Sequence, residues 1–156
     1  MHITLRKAVK NDSRFLFELR NEEAVRRVSR HSEPIAFSDH EKWFEKKLKD
    51  RSSLILIAEE SGIPIAQARF DIKEQNAEIS VAVISVFRGK GYGTKIIAEA
   101  TKLFFEKYHK ILAVHAYANL ENAASVRSFI KANYRHLGEV DDESAKRHLL
   151  VFERLN

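Results

Sequence analysis

The chain has 156 residues, enough for one domain with a substantial core, and 44% of them are hydrophobic. It contains no cysteine, which excludes disulfides, thiolate metal sites and a cysteine nucleophile and points to a reducing, cytoplasmic setting. A net charge of +5 favours an anionic ligand, and no apolar run is long enough to span a membrane.

Residues 1–8 read as a first strand rather than a signal peptide. Asn11 and Asp12 can cap a short helix whose inner face is Phe15, Leu16 and Leu19. Residues 22–30 are charged and weakly periodic. Ser38 and Glu41 form a capping box, which starts a helix that buries Trp43, Phe44 and Leu48. Residues 54–59 are a buried-type strand, and Ser61-Gly62 turns the chain into a hairpin. With residues 73–76 as a four-residue loop, Ile72 opposes Ala77, Asp71 opposes Glu78, Phe70 opposes Ile79, and Arg69 opposes Ser80. That register gathers Ala68, Phe70, Ile79 and Val81 on one face and Gln67, Arg69, Asp71, Glu78 and Ser80 on the other. The polar stripe is either a solvated sheet face or the wall of a pocket.

The strand read over 79–86 runs into Arg88-Gly89-Lys90-Gly91-Tyr92-Gly93, and Ile96, Ile97, Ala100, Leu103 and Phe104 then follow at helical spacing. A glycine-rich turn with two cations at a helix start can hold a phosphate, because backbone N–H groups approach closely there and the helix terminus adds partial positive charge. A solvated turn is the plain alternative. The spacing is neither GxxxxGK[ST] nor GxGxxG; what remains is R-x-x-G-x-G at Arg88, Gly91 and Gly93. Residues 111–118 form a strand, 119–132 a helix, and 134–140 with 148–154 a closing antiparallel pair. No linker, repeat or low-complexity segment interrupts the order, so residues 1–156 read as one mixed α/β domain. His40-Glu41 lacks the second histidine of a zinc motif and the other histidines are scattered, so no metal is expected.

The R-x-x-G-x-G turn between strand and helix resembles the acetyl-coenzyme A loop of the GCN5-related N-acetyltransferases, and the element order is similar from end to end. The resemblance implies a central, mostly antiparallel sheet of about seven strands, splayed between the fourth and fifth, with about four flanking helices. It implies acetyl-coenzyme A as cofactor, held by Arg88, Gly89, Lys90, Gly91, Tyr92, Gly93 and Thr94. The backbone of Val81, Ala82 and Val83 would pair with the pantetheine arm, and Asn119, Asn122 and Ser125 would contact it. Glu78 sits where relatives carry an acidic general base. Asn122-x-x-Ser125 resembles a family motif that ends in a tyrosine proton donor, but this chain has Phe129 there, which has no proton to give. The leaving thiolate is then either steadied by the helix N-terminus and Ser125 or protonated by Tyr117, His115 or Tyr134. Asn133 replaces a customary glycine at a position that needs left-handed backbone, which asparagine tolerates.

The segments 19–21, 32–35 and His40-x-x-Trp43-Phe44 resemble the branch that acetylates nucleotide-linked 4-amino sugars, by direct attack of the amine on the thioester. For an anionic acceptor of that kind the candidate contacts are Arg20, Arg27, Arg30, His31, Gln67, Arg69 and Asp71. An N-terminal or small-amine acetyltransferase is the alternative, and a non-catalytic coenzyme A- or RNA-binding module a more distant one. A small-molecule acceptor, no membrane and no nucleic acid are the expected partners, with oligomeric state open, a homodimer included.

Overall fold

Period-two alternation sets the middle of the fold. The computed structural model describes residues 1–30, 32–143 and 145–155. Strands β3 (Ile63–Lys73) and β4 (Asn76–Val83) pair in the register read from the sequence, with Asp71 opposite Glu78 and Phe70 opposite Ile79. The connecting loop is tighter than expected. Lys73 and Asn76 still pair, so only Glu74 and Gln75 turn, with Glu74 at φ 58°. One sheet collects β1 (Ile3–Lys7), β2 (Ser53–Glu60), β5 (Ala113–Asn119), β6 (Arg135–Asp142) and β7 (Ala145–Glu153) around that hairpin, in the order β1-β2-β3-β4-β5-β7-β6. All neighbours are antiparallel except β4 and β5.

That parallel pair is short. It runs only from Asn76–Ala113 to Ile79–Ala116, while β3 follows β4 to Val83 and β7 follows β5 to Asn119. The two central strands therefore part, and the facing backbone edges of residues 80–83 and 117–119 have no strand partner among the described residues. Unpaired sheet edges of this kind can accept an added extended ligand.

The helices are α1 (Ser13–Asn21), α2 (Glu23–Val28), α3 (Phe37–Lys49), α4 (Tyr92–Lys107) and α5 (Ala123–Lys131). Five are present where about four were expected; the extra one is six-residue α2, whose one buried residue is Val25. Helices α4 and α5 cover the apolar side of the sheet, where Phe70 stacks on Phe104 with centroids 4.3 Å apart. Each such aromatic adds about 0.5–1.5 kcal/mol beyond its area burial. Helices α1 and α3 cover part of the other side through Leu16 and Phe44 against Ile55 and Ile57.

Several local expectations are corrected. β4 stops at Val83 rather than continuing to Val86, because residues 85–87 form a 3-10 turn that carries the chain off the sheet and leaves Val86 exposed. On α4, Leu103 faces solvent and Thr101 takes the buried place, its hydroxyl 2.7 Å from Tyr134 Oη. Helix α3 starts at Phe37 behind Ala36 with no side-chain cap, so the Ser38–Glu41 box does not form; the earlier start packs Phe37 edge-on against Phe17 at 4.9 Å. Asp12 does not cap α1 by its side chain. Its carboxylate turns back to Arg6 Nη1 and to the Val9 N–H, both at 2.8 Å. Helix α5 starts at Ala123 instead of 119. Asn133 adopts φ 72°, as its position demands.

Candidate active site

The polar face of the β3–β4 hairpin continues across the gap onto β5. In the parallel register Glu78 lies beside His115, so Glu78 and Ser80 share a face with His115 and Tyr117. Helix α3 packs on β2, and α1 reaches β3 and β4. From the segment after α2, Arg30 reaches across. Its Nη1 donates to Glu78 Oε2 at 2.6 Å and its Nε to Asp142 Oδ2 at 2.8 Å, and its Cζ stands 5.2 Å from the Tyr117 ring centroid. Arg147 Nε lies 3.1 Å from the same Asp142 oxygen, near enough for charge attraction though not aligned as a hydrogen bond. Burial works against the Arg30 charge, but hydrogen bonds and charge from Glu78 and Asp142 outweigh it and raise its pKa. Burial, and then the negative charges of Glu78 and Asp142, push the Tyr117 hydroxyl up against the opposing pull of Arg30. Tyr117 is thus a protonated hydroxyl at neutral pH, beside the point where the strands part.

At the far end of β4 lies the glycine turn. Gly89 and Gly91 adopt φ 72° and 87°, backbone that other residues enter only with strain, and Gly91 is the N-cap of α4. No side chain caps that helix, so its first-turn N–H groups remain available to an anion. Gly93 lies within α4, and a Cβ there would come no nearer than 3.6 Å to Ser128 Oγ. Lys90 is exposed at the turn, while Arg88 folds back so that its Nε donates to Val83 O at 2.9 Å. Tyr92 and Thr94 follow in the first turn of α4. Opposite, the Asn122 side chain caps α5 by accepting the Ser125 N–H at 3.2 Å, and Asn119 closes β5.

Other candidates are placed elsewhere. Tyr134 is buried in the core and bonded to Thr101, and burial pushes its pKa up, so it is removed from the proton-donor list. Phe129 is also core, packed edge-on against Tyr134 at 5.0 Å. Arg27 pairs with Glu23 one turn back on α2, both largely exposed, and makes no hydrogen bond to the polar face. Arg30, expected to meet a phosphate, is committed to two carboxylates instead. His31 lies outside the described residues. Asp71 is neutralised locally. Burial pushes it up, but Arg69 at 2.9 Å and Lys47 at 2.8 Å more than offset this and hold it below the usual carboxylate range. Among the described residues no cluster suits a metal ion.

The sequence profile of the acetyltransferase (GNAT) domain matches residues 2–135. The chain belongs to the GNAT acetyltransferase family. No curated protein matches it. The GNAT chain is similar in fold to aminoglycoside acetyltransferase AAC(6')-Ib in complex with coenzyme A and kanamycin, at 20% identity and a TM-score of 0.86 over 98% of this chain and 95% of that one. It is similar also to spermidine N-acetyltransferase from Vibrio cholerae in complex with coenzyme A and spermine, at 18% identity and a TM-score of 0.83 over 97% and 95%. A putative phosphinothricin N-acetyltransferase aligns at 23% identity, TM-score 0.78, over 97% and 98%.

Asp142 and Arg147 stand at this candidate site and went unread in the sequence. They sit about 65 residues beyond Glu78 in an ordinary acidic turn and strand, and only the β6–β7 hairpin brings Asp142 to Arg30 and Arg147 to Asp142.

Proposed function

We propose that this GNAT protein transfers the acetyl group of acetyl-coenzyme A to a primary amine of a small molecule. The observation that carries the reading is the combination of an uncapped glycine turn with a parted β4–β5 pair that presents Glu78 and Tyr117 on one face. The residues present fit the cofactor. Residues 89–94 offer N–H groups and Lys90 to its phosphates, and the free edges of residues 81–83 and Asn119 offer a strand-like seat to its pantetheine arm. When bound, the cofactor supplies an activated thioester. Glu78 takes a proton from the acceptor ammonium, directly or through water, and so frees the nitrogen lone pair that forms the new N–C bond as the C–S bond breaks. Tyr117 would give the leaving thiolate its proton and would recover one from the attacking nitrogen, whose second proton leaves as the amide forms; the N-terminus of α5, where Ser125 lies in the first turn, would add partial positive charge beside it. Arg30 bridges Glu78 in the structure, so the base works once Arg30 has moved aside or the acceptor's ammonium has taken its place.

Supporting the small-amine reading, the structural neighbours are enzymes named for aminoglycosides and spermidine. A nucleotide-linked amino sugar is a narrower second reading, favoured by one observation, the excess of cations around Arg20 and Arg69. Glu78→Gln tests the first reading. With an amine panel and acetyl-coenzyme A, release of coenzyme A thiol at saturating acceptor falls by about 10²-fold or more in the variant. Unchanged turnover would remove Glu78 as the base.

A further inference from the structure

The acceptor face carries a second charged centre on β3, α1 and α3, distinct from the bridge at Glu78. The Arg20 guanidinium lies over the Trp43 ring, 4.2 Å from its centroid, and Arg69 lies over the same ring at 5.1 Å. Arg20 is held in place by a relay. His40 Nε2 is 3.0 Å from the Ser13 carbonyl oxygen, which only accepts, so that nitrogen carries the hydrogen. His40 Nδ1 is then left to accept from Arg20 Nη1 at 3.1 Å. That is a neutral partner. Among the described residues no carboxylate pairs with Arg20, and Asp71, the carboxylate nearby, is shared by Arg69, Lys47 and Ser53. Burial and the charge of Arg69 lower the Arg20 pKa to about 10, as befits a guanidinium placed beside another cation without its own anion. On the same face, two positions along β3 from Arg69, Gln67 is 6% exposed and its buried amide oxygen has no hydrogen-bond partner. A cation without an anion and a buried acceptor without a donor both lack what a ligand would bring.

We propose that Arg20 and Arg69, stacked on Trp43, form an anion seat that holds a carboxylate or phosphate group of the acceptor, with Gln67 accepting a hydrogen bond from the same ligand. This rests on the reading of the face as the acceptor site and narrows it to amines that also carry an anion. Arg69 pairs with Ser80, which makes Glu78 its diagonal neighbour, about 7–8 Å away between Cα atoms. The amine and the anion of the acceptor are therefore a short span apart, on the scale of one ring. Free guanidinium N–H groups on two side chains suit the several oxygens of either anion.

Trp43 is the only tryptophan in the chain, so its emission reports directly on the two guanidinium groups stacked on it. The test titrates the whole protein with inorganic pyrophosphate in one arm and succinate in the other. Saturating coenzyme A is present throughout, so that the glycine turn is already filled. The expected result is a saturable change in Trp43 emission with one of the two, which identifies phosphate or carboxylate as the group held. Arg20→Met weakens that response at least tenfold, and Arg20→Lys falls between. Arg69→Met is the second variant should Arg20→Met not fold. No saturable change with either anion, or an equal response in both folded methionine variants, overturns the seat. Failure of the seat and failure of acetyl transfer are separable. Saturable binding in a protein that releases no coenzyme A thiol with any amine keeps the seat and removes the acetyl-transfer reading. Transfer without an emission response does the reverse.

Discussion

Arg30 holds Oε2 of Glu78, the carboxylate proposed to take the amine's proton, and this contact is where single residues decide the most. Arg30, Glu78 and Asp142 are each partly exposed, at 25%, 34% and 14% of the side chain, so solvent weakens the bridge. Exposed ion pairs contribute up to about 1 kcal/mol, an amount an incoming ammonium can replace. Arg30→Gln should therefore raise turnover about fivefold at saturating substrate, read by thiol release. A tenfold fall would assign Arg30 to holding the site together instead. The charge of Arg30 is visible in the sequence, but its partners are not. Five arginine and histidine residues from 20 to 31 look alike as phosphate ligands in a linear reading, and the contacts of the four arginines distinguish them. Arg27 pairs within its helix, Arg26 Nη1 donates to the Ser32 backbone oxygen, Arg30 bridges two carboxylates, and Arg20 has no anionic partner among the described residues.

At the scale of elements, the glycine turn that opens α4 was the most legible part of the chain, because its geometry is local. Positive φ needs glycine, a helix start leaves N–H groups free, and both facts lie within six residues of one another. Gly93 gives a clean test of what that turn holds. Its backbone is not left-handed, a Cβ meets Ser128 Oγ at an ordinary 3.6 Å, and alanine suits a helix better than glycine. Gly93→Ala should leave the melting temperature unchanged or slightly raised, while the KM for acetyl-coenzyme A rises about tenfold because the methyl group fills the approach to the phosphates. Unchanged KM would mean the phosphates lie elsewhere. The hairpin register was legible for the same kind of reason, since a one-residue slip would have placed either Arg69 or Glu78 in the core. The start of α3 was not, because a distant aromatic contact with Phe17 outweighs the Ser38–Glu41 box.

For the molecule as a whole, stability should depend on pH through His40, which joins α1 to α3. His40 is buried, and burial and then the charge of Arg20 lower its pKa, against a smaller opposing effect of the Ser13 carbonyl. The folded state therefore holds it neutral where the unfolded chain protonates near 6.5. Its contribution is fully present above that value and is lost as pH falls below it toward the folded pKa, by up to about 1 kcal/mol per pH unit. Thermal melts between pH 7.5 and 5.5 should show this slope. His40→Gln should be less stable at pH 7 and should lose much of the slope; an equal slope in both proteins would assign it to other groups.

The sequence by itself determined the mixed α/β class, the hairpin register that puts Glu78 on the polar face, the glycine-rich turn ahead of α4 and the left-handed Asn133. Each depends on alternation, spacing or backbone freedom within about a dozen residues. Tertiary structure alone decided which side chains meet. It brought Glu78 and Asp142 to Arg30 across 48 and 112 residues, sent Tyr134 and Phe129 into the core, and left Arg20 against Trp43 with no anion among the described residues. The physical reason is that charge pairing and burial depend on distance in space, and the folded sheet joins segments whose separation along the chain carries no information about that distance.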